Sequence, residues 1–218
     1  MLRENLLQAL VTYLSDGKHH CIRIYGHGAS GKSRFAMDLY HLLEPSQVNL
    51  LETDPYIISG EYRDLVTVKD CPDQKVTACL PLAHELSSLK RDIVALSSGM
   101  DILTIDEPWA PSQRLSGQKP ILLIEGMSAA FLSEHLFDLS ICFYTDDETE
   151  LARRLARDTS IRKRHPEWIK VTHKARRKQY ENYYKPYQEA ADLLICQSGD
   201  DFILEKQSSL PDELGNLL

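Results

Sequence analysis

Apolar residues along this 218-residue chain fall into two alternating rhythms. Leu6, Leu7, Leu10 and Leu14 recur every three or four positions, which predicts an N-terminal helix over residues 1–16. Phe35, Leu39, Leu42 and Leu43 repeat that spacing in a helix starting near Ser30. Leu82, Leu86, Leu89, Ile93 and Leu96 do the same over residues 82–98, where Gly99 supplies a stop. Between these stretches lie short, almost unbroken apolar runs: CIRIY (21–25), VNLL (48–51), DILTI (101–105), ILLI (121–124), SICFY (140–144) and LLIC (193–196). Runs without polar alternation are typical of strands buried on both faces of a parallel sheet. Strands alternating with helices imply right-handed βαβ units, hence a three-layer α/β/α sandwich around a central parallel sheet. The length suits a single domain over residues 1–218 with one sizeable core. Residues 56–81 and 106–120 break the pattern, and read as loops that carry substrate specificity.

Composition narrows the class only a little. At 43% hydrophobic and 26% charged, the chain is of ordinary globular make-up. No apolar run approaches the roughly 20 residues that span a bilayer, and the charges at Arg3, Glu4 and Asp16 argue against a signal peptide. A cytoplasmic protein without a membrane partner is expected. A net charge of −7 argues against a general nucleic-acid binder. Of the five cysteines, Cys21, Cys142 and Cys196 fall in apolar runs, while Cys71 and Cys79 lack zinc-type spacing. All five read as reduced structural thiols.

One stretch changes the picture. YGHGASGKSRF (25–35) places Gly26, Gly31, Lys32 and Ser33 in the pattern G-x-x-x-x-G-K-[ST], after a strand and before a helix. Backbone N–H groups wrap a phosphate chain only where no Cβ intervenes, hence the glycines. The helix that follows points its positive end at the anion. Lys32 is then a mobile cation for the outer phosphates, and the Ser33 hydroxyl a ligand for Mg²⁺. The segment Gly26, His27, Gly28, Ala29, Ser30, Gly31, Lys32, Ser33 and Arg34 is therefore the candidate site for ATP or GTP.

Three further features bear on chemistry. ILLIEG (121–126) ends a buried strand on Glu125, which either meets Mg²⁺ beside the loop or is a solvated strand end. Asp54 in LLETDPY is placed to take a proton from a substrate hydroxyl, or simply starts an Asp-Pro turn. TDDETELARRLARDTSIRKRHPEW (145–168) opens with Thr145 and Glu148 as a capping box, turns Leu151 and Leu155 inward, and pairs Glu150 with Arg154. Its cations, Arg153, Arg154, Arg157, Arg162, Lys163 and Arg164, suit an arginine-rich lid over about residues 153–178, or else a solvated face. KVTHKARRK (170–178) is either that lid's return helix or a solvated face. Tyr180, Tyr183, Tyr184 and Tyr187 form a helical stripe that packs on the sheet or stacks a base. His19 and His20 read as exposed turn residues, and His165, next to Pro166, is either a plain lid residue or a phosphate contact.

On GHGASGKS, DPY, ILLIEG, RRLARDTSIRKR and YENYYKPYQEAADLLI, the chain resembles the uridine kinase/phosphoribulokinase-type family of small-molecule P-loop kinases. The resemblance implies a P-loop fold and ATP-dependent phosphoryl transfer to a hydroxyl of a small metabolite, a nucleoside such as uridine first. A sugar or vitamin precursor is the alternative acceptor, and a non-catalytic nucleotide-binding regulatory protein the alternative role. It implies that Lys32, Asp54, Arg157, Arg162 and Arg164 are catalytic, Asp54 as base. It also implies that Ser33 and Glu125 hold Mg²⁺. Lys163 stands where uridine kinases have glycine, and their aspartate-rich nucleoside-contacting segment is absent from CLPLAHELSSL, where only His84 and Glu85 stand. IDEPW replaces their aromatic-Asp stretch, leaving Asp106 and Trp109 as open candidates. Oligomeric state, including a homo-oligomer, is left open.

Overall fold

A computed structural model describes residues 2–69 and 71–218. The chain begins with α1 (Arg3–Leu14), β1 (His20–Gly26), α2 (Lys32–Leu42), β2 (Val48–Glu52) and a short α3 (Gly60–Arg63). A hairpin of β3 (Thr67–Val68) and β4 (Cys71–Lys75) leads to α4 (Leu86–Ser97) and a second hairpin, β5 (Ile102–Leu103) and β6 (Arg114–Leu115). Then come β7 (Ile121–Glu125), β8 (Leu139–Tyr144), α5 (Asp147–Ser160), α6 (Pro166–Gln179), β9 (Leu193–Cys196), β10 (Ile203–Gln207) and α7 (Asp212–Gly215).

Six strands form the main sheet in the order β10-β9-β8-β1-β7-β2, all parallel except β10. Strand alternation splits the core in two. Ile22 and Ile24 of β1 pack with Leu6, Leu10, Phe35 and Leu39 under α1 and α2. Tyr25 faces the other side, among Leu89, Ile93, Ala129 and Tyr184. Register matters most at the carboxyl edge, where Ile24 lies opposite Glu125, Gly26 opposite Phe143, and Glu52 opposite Glu125. Ligands of open α/β sheets bind at that edge. Among the described residues no helix is long and apolar enough to cross a membrane.

Several sequence expectations need correction. DILTI does not join the sheet: only Ile102 and Leu103 pair, antiparallel to Leu115 and Arg114, and Leu103 is 71% exposed. Ile102 alone of the pair is buried against the core, and Pro108 and Pro111 lie in the connection, so the run ends as a two-residue hairpin strand. The sixth strand, β10, is an antiparallel edge whose residues alternate between half-buried and exposed, so it carries no unbroken apolar run. The helix expected from residue 82 starts at Leu86, because Pro81 to Ala83 form a 3-10 turn. Helix α2 starts at Lys32 and not at Ser30, because Gly31 adopts φ +98°. His20 belongs to β1, 5% exposed, with Nε2 2.8 Å from Asp16 Oδ1 and its ring against Tyr13. Cys21, Cys79, Cys142 and Cys196 are free thiols, and the Cys71 side chain lies outside those described.

Candidate active site

The phosphate loop is shaped by two glycines at positive φ, of which Gly26 faces a backbone obstacle and Gly31 the end of a side chain. Gly26 closes β1 at φ +148°, and a Cβ there would fall 2.0 Å from the carbonyl oxygen of Phe143 on β8. Gly31 precedes α2, and its Cβ would fall 1.9 Å from Gln197 Oε1. A Cβ on Gly28 would meet nothing within 4 Å, so the loop is open on that side. Ser30 Oγ is buried without a hydrogen-bond partner, and Arg34 is exposed on α2.

From behind, the loop is propped by residues distant in sequence. The Gly26 N–H donates to Tyr184 Oη at 3.2 Å, and that hydroxyl donates to the Met127 carbonyl at 3.2 Å. His27 turns inward and is 2% exposed. Its Nε2 accepts the Thr145 N–H at 3.0 Å, which leaves Nδ1–H facing Gly28 O at 3.0 Å and Glu150 Oε2 at 3.4 Å. Burial first, then the cations Arg177 and Lys32, push the ring's pKa down to about 3, so the ring is neutral. Arg153 donates to Ala29 O (3.2 Å), Gln197 O (2.9 Å) and Gly199 O (2.9 Å), tying the loop to the turn after β9.

Carboxylates gather in front of α2. Ser33 Oγ donates to Glu125 Oε1 at 2.8 Å, Lys32 Nζ lies 3.7 Å from the same oxygen, and Glu125 is 6% exposed. Glu52 sits across the register from Glu125, and burial followed by the charges of Glu125 and Asp54 raises its pKa. Asp54 is exposed at the start of a 3-10 turn, Asp54–Tyr56, with Pro55 at its second position. A hydroxyl and a carboxylate beside an anion-binding loop suit a hard cation that keeps most of its shell as water or phosphate oxygen. Among the described residues no trio of acidic, histidine or cysteine side chains forms a metal cluster.

Helices α5 and α6 flank this edge, and apart from Ile169 their buried positions are polar. The N-cap of α5 is Asp146, which accepts Thr149 N–H at 2.7 Å; Thr145 is buried and gives its own N–H to His27, so it caps nothing. Glu150, Arg154 and Asp158 are the buried positions, whereas Leu151 and Leu155 are only half-buried. Asp158 collects the arginines: Arg157 Nε at 2.8 Å, Arg162 Nη1 at 3.5 Å and Arg154 Nε at 4.0 Å. Burial alone would raise its pKa, but these cations outweigh burial and lower it. Arg164 donates its N–H to Asp158 O at 2.9 Å and stacks its guanidinium 4.6 Å from the Trp168 ring centre. Lys163 between them adopts φ +53°, a left-handed conformation that suits glycine better. Glu150 pairs with Arg177 at 3.2 Å and not with Arg154, whose Nη1 meets His173 Nδ1 at 3.1 Å. His173 Nε2 reaches Asp147 at 2.9 Å, so α5 and α6 are riveted through ionic side chains.

Other sequence candidates lie elsewhere. His84 is buried with both nitrogens engaged, by Ser128 Oγ at 2.7 Å and Ala78 O at 2.9 Å. Asp106 accepts Ser112 N–H at 2.9 Å within the second hairpin, where Trp109 is 61% exposed, and Glu85 is exposed before α4. Tyr180 and Tyr184 are core residues. His165 caps α6, its Nδ1 accepting Glu167 N–H at 3.3 Å. Sequence reading missed the support roles of Tyr184, Thr145, Glu150 and Asp158. The tyrosine stripe and the R-D pair in RRLARD were the available signals.

Residues 21–203 match the model of the phosphoribulokinase/uridine kinase family. The chain belongs to that family. It is 26% identical over 190 residues to uridine-cytidine kinase A of Dictyostelium discoideum, covering 84% of this chain but 37% of that one. It is 26% identical over 203 residues to uridine-cytidine kinase B of the same organism, covering 87% and 79%. Among solved structures it is similar to phosphoribulokinase from Rhodobacter spheroides, with a TM-score of 0.60 at 15% identity over 82% of this chain and 70% of that one. That last likeness speaks to fold. Family and fold together mark a small-molecule kinase of the P-loop type.

Proposed function

We propose that this protein moves the γ-phosphoryl group of ATP or GTP to a hydroxyl of a small metabolite. The observation that carries the reading is one sheet edge holding the glycine-shaped loop, Lys32, the Ser33–Glu125 pair and Asp54 together. A donor phosphate seated in the loop is faced by Lys32 and the amino end of α2. The acceptor oxygen bonds to the γ-phosphorus as the bond to the β,γ-bridging oxygen breaks, the nucleoside diphosphate leaves, and the hydroxyl proton passes to Asp54. Ser33 and Glu125 would hold Mg²⁺, which when bound offsets the charge on the phosphate oxygens. Arg157, Arg162 and Arg164 would close over the transferring group, with Asp158 aiming the first two.

A nucleoside such as uridine is the acceptor that the curated relatives' names support; a sugar or vitamin precursor is the alternative. Diphosphate release measured against a panel of nucleosides, sugars and vitamin precursors tests the reading. Asp54→Asn should keep nucleotide affinity within a few-fold and cut acceptor-dependent release about 100-fold, the usual contribution of a positioned base. Nucleotide binding with no release on any acceptor would favour a regulatory nucleotide-binding protein.

A further inference from the structure

Away from the kinase machinery, one charge is buried in the middle of the sheet. Arg23 stands in β1 between Ile124 of β7 and Ser140 of β8, and is 1% exposed. Arginine almost never sits that deep without a partner. Its Nε donates to Ser140 Oγ at 2.8 Å, and its Nη1 to Ala129 O at 3.3 Å and Leu132 O at 3.2 Å. Nη2 is buried and has no hydrogen-bond partner. The rings of Tyr25 and Phe137 lie 4.9 and 4.8 Å from the guanidinium carbon, which suits a cation but gives Nη2 no acceptor.

Among the described residues, no carboxylate lies within 4.0 Å of Arg23. Asp192 Oδ2 accepts the neighbouring Ser140 N–H at 2.8 Å instead. A buried cation with an unmet donor and no counter-ion is costly until an anion joins it. Space for one lies alongside. Arg23 borders a cavity of about 260 Å³, together with Leu132, Ser133, Glu134, His135 and Tyr187. Sites for drug-sized ligands run to roughly 300–1,000 Å³, so this one suits a metabolite of a few carbons. Ser133, Glu134 and His135 are exposed, and form a turn in which Leu136 N–H donates to Ser133 O and Phe137 N–H to Glu134 O.

The cavity also touches the brace of the phosphate loop. Arg23 is three residues before Gly26, about 10 Å along the strand. Tyr25, on the same face of β1, donates its hydroxyl to Tyr187 O at 2.8 Å. The Tyr187 and Tyr184 rings lie 6.3 Å apart, and the Phe131 ring packs edge-on against both. Tyr184 Oη is the group that accepts the Gly26 N–H.

We propose that this cavity is an effector site for a small hydroxylated organic anion, whose carboxylate or phosphate pairs with Arg23 and whose binding acts on the phosphate loop through the tyrosine cluster. A guanidinium meets either group with charge-assisted N–H···O bonds. Ser133 and Glu134 receive the ligand's hydroxyls. Because Nη2 is covered, the anion displaces the turn over residues 133–137 as it enters.

Calorimetric titration of malate and of glycerol 3-phosphate tests it, on protein loaded with a non-hydrolysable ATP analogue and Mg²⁺ so that the loop's own phosphate site is filled. One of the two should bind saturably with a Kd of about 1 mM or tighter, and which one separates carboxylate from phosphate. Ser133→Glu sets a like charge at an exposed position and should weaken that binding about tenfold or more with an unchanged Tm. Arg23→Gln should weaken it as much. Amide exchange at Leu136 and Phe137 should change when the anion binds. The bound anion should also raise or lower affinity for the ATP analogue about threefold or more, an effect lost in Ser133→Glu. No saturable binding of either anion, or binding that both variants leave intact, would overturn the site. Binding that leaves nucleotide affinity unmoved would overturn the effector role. Should the analogue itself not bind, the kinase reading is at fault, and the same titration of unloaded protein and its variants still decides the site.

Discussion

The segment Gly26–Gly31 is built to meet an anion with its backbone, whereas α5 and α6 present side chains. In the loop, specificity of shape comes from what is missing, since any Cβ on Gly26 would strike the Phe143 carbonyl. In the helix pair it comes from what is crowded in: Glu150, Arg154 and Asp158 occupy a buried face that most helices fill with leucine. A backbone-made site demands particular residues at fixed spacing, so it can be read as a motif. A side-chain-made site fixes only that charges balance in three dimensions, and many sequences do that. The loop also stands on other parts of the chain, through Tyr184, Thr145 and Arg153, and local sequence is silent about those supports.

Breaking the side-chain half should have the largest effect on stability. Asp158→Ala strips the carboxylate from the buried Arg154 and from Arg157 and Arg162, leaving charge without a partner. We expect a loss of about 3–5 kcal/mol in urea unfolding, the scale for breaking a buried pair. A loss below about 1 kcal/mol would mean that water, not Asp158, balances these arginines.

The lysine that follows the loop should respond the other way, in rate and not in fold. Lys32→Ala is expected to lower turnover on the order of 10²–10³-fold while circular dichroism and Tm stay near wild type. Comparable turnover in the variant would remove Lys32 from the chemistry. Set beside Asp158→Ala, the pair separates a charge that reacts from a charge that holds.

The smallest effect concerns acid. His84, buried between Ser128 and Ala78, has its pKa pushed down to about 4, chiefly by burial. Above pH 6.5 the ring is neutral folded or unfolded, so it is indifferent to pH there. Below 6.5 the unfolded chain takes up a proton that the folded one refuses until about pH 4, so stability falls across that window. Between pH 7 and 5 this amounts to about 2 kcal/mol. His84→Asn keeps a donor near Ser128 but no titration, so the wild type's stability advantage over it should narrow by that amount on acidification. A constant gap would show that His84 protonates as freely as in water.

The sheet was legible wherever an apolar run was covered on both faces, as in ILLI and SICFY, which became β7 and most of β8. It was not legible in DILTI, because hydrophobic composition does not say whether a second layer exists to cover a strand. Strand β10 escaped for the converse reason: an edge strand needs little hydrophobicity. At the site, the loop residues and Glu125 could be named from pattern, and the structure sets Ser33, Lys32 and Glu125 side by side. The buried polar face of α5 contradicted the inward leucines that helical periodicity suggested, since a charge network can fill the place of a core.

The hydroxyl of Tyr184 on the Gly26 amide has a consequence for how the protein is made. The motif is synthesised within the first 35 residues, but its central strand pairs with β7 and β8, about a hundred residues on, and its brace comes later still. A nascent chain carries every glycine of the loop long before anything holds them in shape. Loops closed over such distances form slowly. Anion capture by the loop should therefore begin only once the tyrosine-bearing segment leaves the ribosome.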